Sequence, residues 1–454
     1  MRHDGPERQI GAMTDQTTAH GARAPRYTSY PPATQFSDAV GPVTMGGWLR
    51  EVAPGTRISL YVHIPFCRRL CWFCACRTQG TRTEAPLEAY LDTLEAEIAL
   101  VADLLPADVK VRHLHLGGGT PTLLSPKMLG RLCAMLDARL PRAAGAETSV
   151  EVDPTEIDAA KLDVLAAAGM TRASLGVQDF EPAVQTAIGR PQSVEQTEAV
   201  INGLRARGVK GINLDLLYGL PKQSIETLDA TLDTVCTLAP DRLALYGYAH
   251  VPWASRRQAM IREADLPDHD TRLAMPRQAD RRLRLSGYCP VGFDHFARPE
   301  DAMAHAARTG TLRRNFQGYT VDTSDTLIGL GASAISRMPR GYAQNAARTA
   351  DWTARIRSGR FSTIRGHALT EDDRLRGAVI ERLLCDFSIE PAQFDHPDAV
   401  RALTAEIAMR WPQATRRGPG GALELRPEFR HLVRLVAMTI DRYAKSRGAH
   451  SLAI

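Results

Sequence analysis

The chain has 454 residues, 44% hydrophobic and 24% charged, with a formal net charge of +5 at pH 7. That length allows two or three domains and a large core, and no run of about 18 apolar residues offers a membrane span. Of the 56 basic residues only six are Lys, and no basic stripe carries interleaved aromatics, so neither a membrane nor a nucleic acid is expected as a partner.

The N-terminus lacks the apolar segment of a secretory signal. Residues 1–24 read as a disordered leader, with Met13 marking an alternative natural start. Eight cysteines without a secretory signal argue for a reducing, cytoplasmic setting and against a disulfide framework. Cys133, Cys236, Cys289 and Cys385 are scattered among apolar neighbours and read as small buried hydrophobes. A short segment, 25–56, leads into the main pattern.

From residue 57 to 287, short apolar runs alternate with amphipathic ones. "ISLYVHI", "VRHLHLGG", "TSVEVDP", "RASLGVQ", "GINLDLLYG" and "RLALYGYAH" read as strands. The runs between them, such as "LEAYLDTLEAEIALVADLL" and "SIETLDATLDTVCTLA", read as helices. Six strands alternating with helices predict a parallel α/β sheet, open or curled into a partial barrel. Ligands in such folds gather at the C-terminal strand ends. Cys67, the "GGGTPT" turn, Glu151 and Asp153, "QDF" and Asp215 all fall there. "LAMPRQADRRLRLSGY" places Pro276 in a helical run, and a helix restart is expected at that proline. Residues 288–345 turn irregular, and 346–454 read as a smaller, mainly helical C-terminal domain.

The chemistry concentrates in "CRRLCWFCAC", residues 67–76. Thiolates bind soft metals and iron–sulfur clusters. A zinc site would pair one C-x2-C with a second pair further along, and none exists. Redox C-x-x-C chemistry would use two thiols and leave the others unexplained. Cys67, Cys71 and Cys74 can hold three corners of a [4Fe–4S] cube and leave the fourth iron open. The spacing also admits a closed cluster that uses Cys76. Taken singly, Tyr61 is an ordinary strand aromatic, a triple glycine is a plain strand-to-helix turn, and Arg190 is one of fifty arginines. Asp215 stands out, because a charge in an otherwise apolar strand is costly unless partnered.

C-x3-C-x2-C after a first strand, with "GGGTPT" after the second, resembles the radical S-adenosylmethionine enzymes. Around them "PRYTSYP", "YVHIPFC", "EVDP", "GVQDF", "NLDLLYGLP", "YGYAHVP", "DHFARPED", "RRNFQGYT" and "GASAIS" occur in the expected order along the chain. Together they are similar to one family within that group, the oxygen-independent coproporphyrinogen III oxidases. The resemblance implies a radical SAM partial (β/α)6 barrel over 57–287. It implies a substrate-covering segment at 25–56 and an extension at 288–345 contacting cofactor and substrate. It implies a [4Fe–4S] cluster on Cys67, Cys71 and Cys74 whose open iron takes S-adenosylmethionine (SAM), and two SAM molecules in all. A fourth thiolate would then block that iron, so Cys76 becomes a non-ligand beside the cluster and the candidate catalytic thiol. Tyr61, Glu151 and Ile335 match contacts to the first SAM, with the Gly118 turn offered to its amino group. Phe73, Gly119, Thr120, Gln178, Arg190, Asp215 and Ala249 match contacts to the second. The implied substrate is coproporphyrinogen III, its propionates held by Arg26, Arg298 and Arg313 or Arg314. A low-potential electron donor such as a flavodoxin is implied, and a monomer is expected. Two rivals share the superfamily: a haem-binding carrier and a haem-degrading methyltransferase. The chain departs from the family's usual wording at Ala75 and Arg77, which flank Cys76.

Overall fold

The computed structural model describes residues 24–444, so the expected leader and Met13 lie outside the described residues. All six expected strands form: β1 Arg57–Ile64, β2 Lys110–Gly118, β3 Arg142–Val152, β4 Arg172–Gln178, β5 Gly211–Tyr218 and β6 Arg242–Gly247. They pair in sequence order and in parallel. The crossover helices are α1 Ala85–Ala102, α2 Pro126–Arg139, α3 Ala159–Ala167, α4 Val194–Ala206 and α5 Ile225–Leu238. Capping boxes at Ser193 and Ser224 start α4 and α5 by satisfying amide groups left open in the first turn.

The expected helix restart at Pro276 does not occur. α6 runs unbroken from His269 to Leu285 with Pro276 inside it and Asp268 as its N-cap. Its face is fixed by buried Met275, Ala279 and Leu283, one turn apart. Gln278 and Arg282 also bond to Asp229 and Asp233 on α5. These contacts outweigh the single donor that proline removes.

The residues read as irregular contain more strand than expected. β7 Cys289–Val291 and β8 His295–Ala297 add antiparallel strands beyond β6. β9 Leu327–Leu330 pairs in parallel with the far edge of β1, and β10 Ile335–Met338, β11 Gly341–Asn345 and β12 Thr363–Ala368 extend that side. The result is one twelve-stranded sheet in the order β12-β11-β10-β9-β1-β2-β3-β4-β5-β6-β8-β7. Ser37 and Gly366 exchange backbone hydrogen bonds of 2.8 Å, clamping the N-terminal segment to β12.

Because β12 belongs to this sheet and Trp352 to the main core, the separate C-terminal unit begins near Glu371 and not at 346. It holds α7 Glu371–Asp386, α8 Pro397–Arg410 and a three-stranded sheet of residues 388–389, 415–417 and 423–425. The last expected helix shortens to Val433–Ala437 between 3-10 turns; five consecutive buried residues there leave no solvent face to prolong. Tyr27 and Tyr30 pack into this unit, while Met45, Trp48 and Leu49 pack into the main core. The 25–56 segment therefore ties the two together.

A buried carboxyl joins α1 to the strand side. Glu97, 2% exposed, accepts from the Gly331 amide at 2.6 Å and from Asn345 at 2.7 Å. Burial pushes its pKa from 4.5 up to about 7. The native state thus keeps a proton that the unfolded chain releases. The stabilisation is complete below pH 4.5 and is lost as pH rises through 7, on the order of 3 kcal/mol. Wild type is expected to lose thermal midpoint between pH 5.5 and 7.5, and Glu97→Gln to lose less over the same range; parallel curves in calorimetry would refute the assignment.

Candidate active site

The six parallel strands present two unlike faces. Ile58, Leu60, Val62 and Ile64 of β1, and their counterparts on β2 to β6, are buried hydrophobics. The alternate positions are polar and line a cavity of about 770 Å³ inside the curved sheet. Register stacks them in layers across the strands. Ser59, His113 and Glu147 form one layer; Tyr61, His115, Ser149 and Arg172 form the next. Glu151, Ser174, Asn213 and Arg242 continue the row, and Asp215 lies opposite Gly176.

At the C-terminal rim the cysteine loop follows β1. It is closed on itself by bonds from the Thr81 amide to the Cys67 carbonyl (3.1 Å) and from the Gln79 amide to the Pro65 carbonyl (2.7 Å). The glycine turn after β2 grips it: the Thr120 amide donates to the Phe66 carbonyl at 2.8 Å. A Cβ on Gly119 would stand 2.5 Å from that carbonyl oxygen, so only glycine allows this approach. On the other side Trp72 packs against Gly189, whose φ is +64°, and the Trp72 amide donates to the Ile188 carbonyl. Phe73 adjoins an apolar cluster of Val184, Ile188, Leu220 and Tyr248. The loop after β6 buttresses it from below: Gln258 Nε2 bonds the carbonyls of Phe73 (2.7 Å) and Ala249 (3.1 Å), and Ser255 Oγ that of Cys74 (2.9 Å).

The thiols sit in distinct fields. The Cys76 thiol donates to Cys74, lowering the Cys74 pKa to about 6 and raising that of Cys76. Burial raises Cys67, against hydrogen bonds from Thr120 and Thr78. Arg190, 7% exposed, lies 3.4 Å from Cys71 Sγ and 3.1 Å from Asp153, and donates to the Gly176 carbonyl at 2.8 Å. Its Nε has no partner. The arginine expected to contact the second SAM is thus already engaged by the protein on both terminal nitrogens. Gln178, at φ +70°, brings its amide beside the same guanidinium at Gly176.

No group of three His, Cys, Asp or Glu side chains among the described residues is gathered closely enough for a single metal ion. An iron–sulfur cube gives each thiolate its own iron and needs the sulfurs spread apart. Three thiols on one clamped loop, one with its pKa lowered by the Cys76 hydrogen bond and another against a guanidinium, fit such a group.

Tyr61, Gly118, Glu151, Asp215, Ala249, Ile335 and Cys76 all line the cavity. Glu151 accepts from the Gly118 amide (2.8 Å) and from His115 (3.2 Å). Burial would raise its pKa, but these bonds and the His115 charge hold it below the ordinary carboxylate value. Tyr61 bonds His63 at 2.9 Å and stacks on His115. Asp215 accepts from Ser174 and Asn213, and burial raises its pKa. The histidines were not singled out in the sequence, although the alternations in "YVHI" and "HLHL" place them on the face of Tyr61.

Besides Arg172 and Arg242 of the strands and Arg77 of the cysteine loop, arginines from four further segments reach the cavity: Arg26, Arg272 on α6, Arg314 and Arg434. Arg314 lies between the rings of Phe293 (5.0 Å) and Tyr319 (4.6 Å) with Nε and Nη1 unpartnered. Asp294 is a nearby carboxylate, paired to His295 at 2.6 Å. Two expected arginines are elsewhere. Arg298 covers Tyr288 and bonds the Ser286 carbonyl; Arg313 pairs with Glu381 at 3.1 Å, beside a separate cavity. Arg272 and Arg434 lie in unremarkable helical text, and only the tertiary fold brings them here.

Residues 61–235 match the family profile of the radical SAM superfamily. The chain is 48% identical over 439 residues to an oxygen-independent coproporphyrinogen III oxidase of Paracoccus denitrificans, covering 95% of this chain and 97% of that one. It is 44% identical over 373 residues to the protein of the same name from Escherichia coli, covering 82% and 81%. A solved structure of coproporphyrinogen III oxidase from Escherichia coli, described as a radical SAM enzyme, matches with a TM-score of 0.87 and 39% identity over 92% of this chain and 97% of that one.

Gly119→Ala should force the Phe66 backbone away, at an over-packing cost of about 1–3 kcal/mol, and disturb the adjacent Cys67. Iron and sulfide retained after reconstitution are expected to fall well below wild type. Gly130→Ala, where a Cβ meets only one atom at 3.9 Å, should retain both in full.

Proposed function

The chain belongs to the oxygen-independent coproporphyrinogen III oxidases, and from that membership we propose how its residues share the reaction. The enzyme oxidatively decarboxylates two propionate side chains of coproporphyrinogen III to vinyl groups, giving protoporphyrinogen IX, in anaerobic haem biosynthesis. When bound, the [4Fe–4S] cluster and SAM supply the one-electron chemistry that generates a hydrogen-abstracting radical. Each conversion removes one hydrogen atom from the propionate β-carbon and breaks the bond to the carboxylate carbon. CO2 leaves, a carbon–carbon double bond forms, and one further electron passes to an acceptor.

Cys67, Cys71 and Cys74 hold the cluster, with Trp72 and Phe73 keeping water from it. Tyr61, Gly118, Glu151 and Ile335 receive the first SAM. Glu151, kept ionised by His115 and the Gly118 amide, suits an ammonium or a ribose hydroxyl. A second SAM falls to Phe73, Gly119, Thr120, Gln178, Asp215 and Ala249, and to Arg190 through its unpartnered Nε. Asp215, already held by Ser174 and Asn213, presents its carboxyl from β5.

One observation carries the substrate reading: seven guanidiniums line a cavity that also contains Cys76, and two nitrogens of Arg314 lack any partner among the described residues. Unpaired buried cationic donors are costly, and a polycarboxylate supplies what they need. Arg314, with Arg26 and Arg272, is accordingly a propionate ligand, while Arg434, bonded to the Pro25 and Ala24 carbonyls, holds the N-terminal segment beside them and adds its charge. The electron comes from a low-potential donor such as a flavodoxin.

Anaerobic incubation with SAM, dithionite and coproporphyrinogen III should release CO2 and form vinyl product; absence of both would sink the reading. Cys76→Ser should keep wild-type iron yet lose turnover, whereas loss of iron would make Cys76 a ligand. Arg314→Gln should raise KM by about tenfold or more, the worth of a charged hydrogen bond, with a smaller change in kcat; steady-state kinetics checks the split.

A further inference from the structure

Segments 67–83 and 250–262 contain seven arginines and no acidic residue. The two are interlocked: Ser255 and Gln258 bond the backbone of Cys74 and Phe73, and Arg257 bonds Thr78 Oγ1 at 2.7 Å. Arg68, Arg82, Arg256 and Arg262 are exposed. Six large hydrophobics are conspicuously exposed among the described residues, and three of them, Leu70, Trp253 and Met260, fall in these same two segments. The acidic neighbours are few: Glu263 lies 3.6 Å from His250, and Asp265 lies 3.7 Å from Arg262. Apolar side chains set among cations of one sign make a complementary surface for an anionic protein rather than a solvated face.

We propose that these two loops form the docking face for an acidic one-electron carrier protein of the flavin or iron–sulfur class. The inference rests on the reading above, that Cys67, Cys71 and Cys74 hold a cluster that must be reduced before each turnover. The face is the outer surface of the loop that bears those thiols, so a carrier seated there is brought next to its acceptor. One electron leaves the carrier, which is oxidised by one unit, and reduces the cluster by one; no bond or proton is exchanged. Arginine guanidiniums steer the encounter over a Debye length, and Trp253 and Met260 supply the apolar contact that retains it.

The test uses the full-length reconstituted enzyme and a recombinant flavodoxin as the acidic probe. Binding is measured by calorimetry at low and high salt. CO2 release is measured with flavodoxin or with dithionite as reductant. Arg256→Glu/Arg262→Glu, and separately Trp253→Ala, should weaken flavodoxin binding and slow flavodoxin-driven release by about tenfold or more at low salt, with dithionite-driven release unchanged. Undiminished flavodoxin binding and turnover in both variants, or equal loss with both reductants, overturns the proposal. Wild type that binds flavodoxin yet releases no CO2 with dithionite would instead overturn the decarboxylase reading and leave the docking face standing.

Discussion

The two-faced parallel strand governs this molecule. A strand covered by helices on one side must bury apolar residues there, and in most such sheets the opposite side is apolar as well. Here β1 to β6 alternate instead, so their inner positions form a polar lining that water or ligand must fill. Each inner group left without a partner would cost about 1–3 kcal/mol. The protein answers locally: Asp301 lies between Arg242 (2.7 Å) and Arg172 (3.3 Å), and Glu151 is held by two donors. Among the cavity's lining residues, Arg242, Arg272 and Arg314 keep nitrogens without a partner in the described residues.

The cysteine loop depends on that same sheet for its shape. It is gripped by the glycine turn after β2, packed against Gly189 beyond β4, and bonded from below by the segment after β6. Arg190 gathers three of these parts at one guanidinium, touching Cys71, Asp153 of the turn after β3 and the Gly176 carbonyl of β4. A cluster site built this way is a property of four strand ends together. Small backbone displacements at any of them, such as a methyl group on Gly119, reach the thiols.

The six-strand alternation, the crossover helices and the cysteine motif were all legible in the sequence, because each is written in a local period or spacing. Sheet membership beyond them was not. β9 joins β1 by pairing Ser59 with Leu327, and nothing within four residues of Leu327 announces a partner so far upstream. Arg272 and Arg434 were hidden for the same reason. Arg298 was misplaced because its neighbours in "DHFARPED" line the cavity while its own side chain turns back to Tyr288. Pro276 misled because its local penalty was visible and the packing of α6 on α5 was not.

The Ser37–Gly366 clamp has a bearing on how copies of the chain meet. A twelve-stranded open sheet ends in two rows of backbone groups, and such rows are templates for adding another chain. On the β12 side the clamp occupies the amide and the carbonyl of Gly366. On the other side the last strand is only Cys289–Val291, and its central residue, Pro290, has no amide hydrogen to give. The N-terminal segment that helps roof the cavity therefore also blunts an aggregation-prone border, so trimming it for catalytic study would expose a surface for fibril-like stacking.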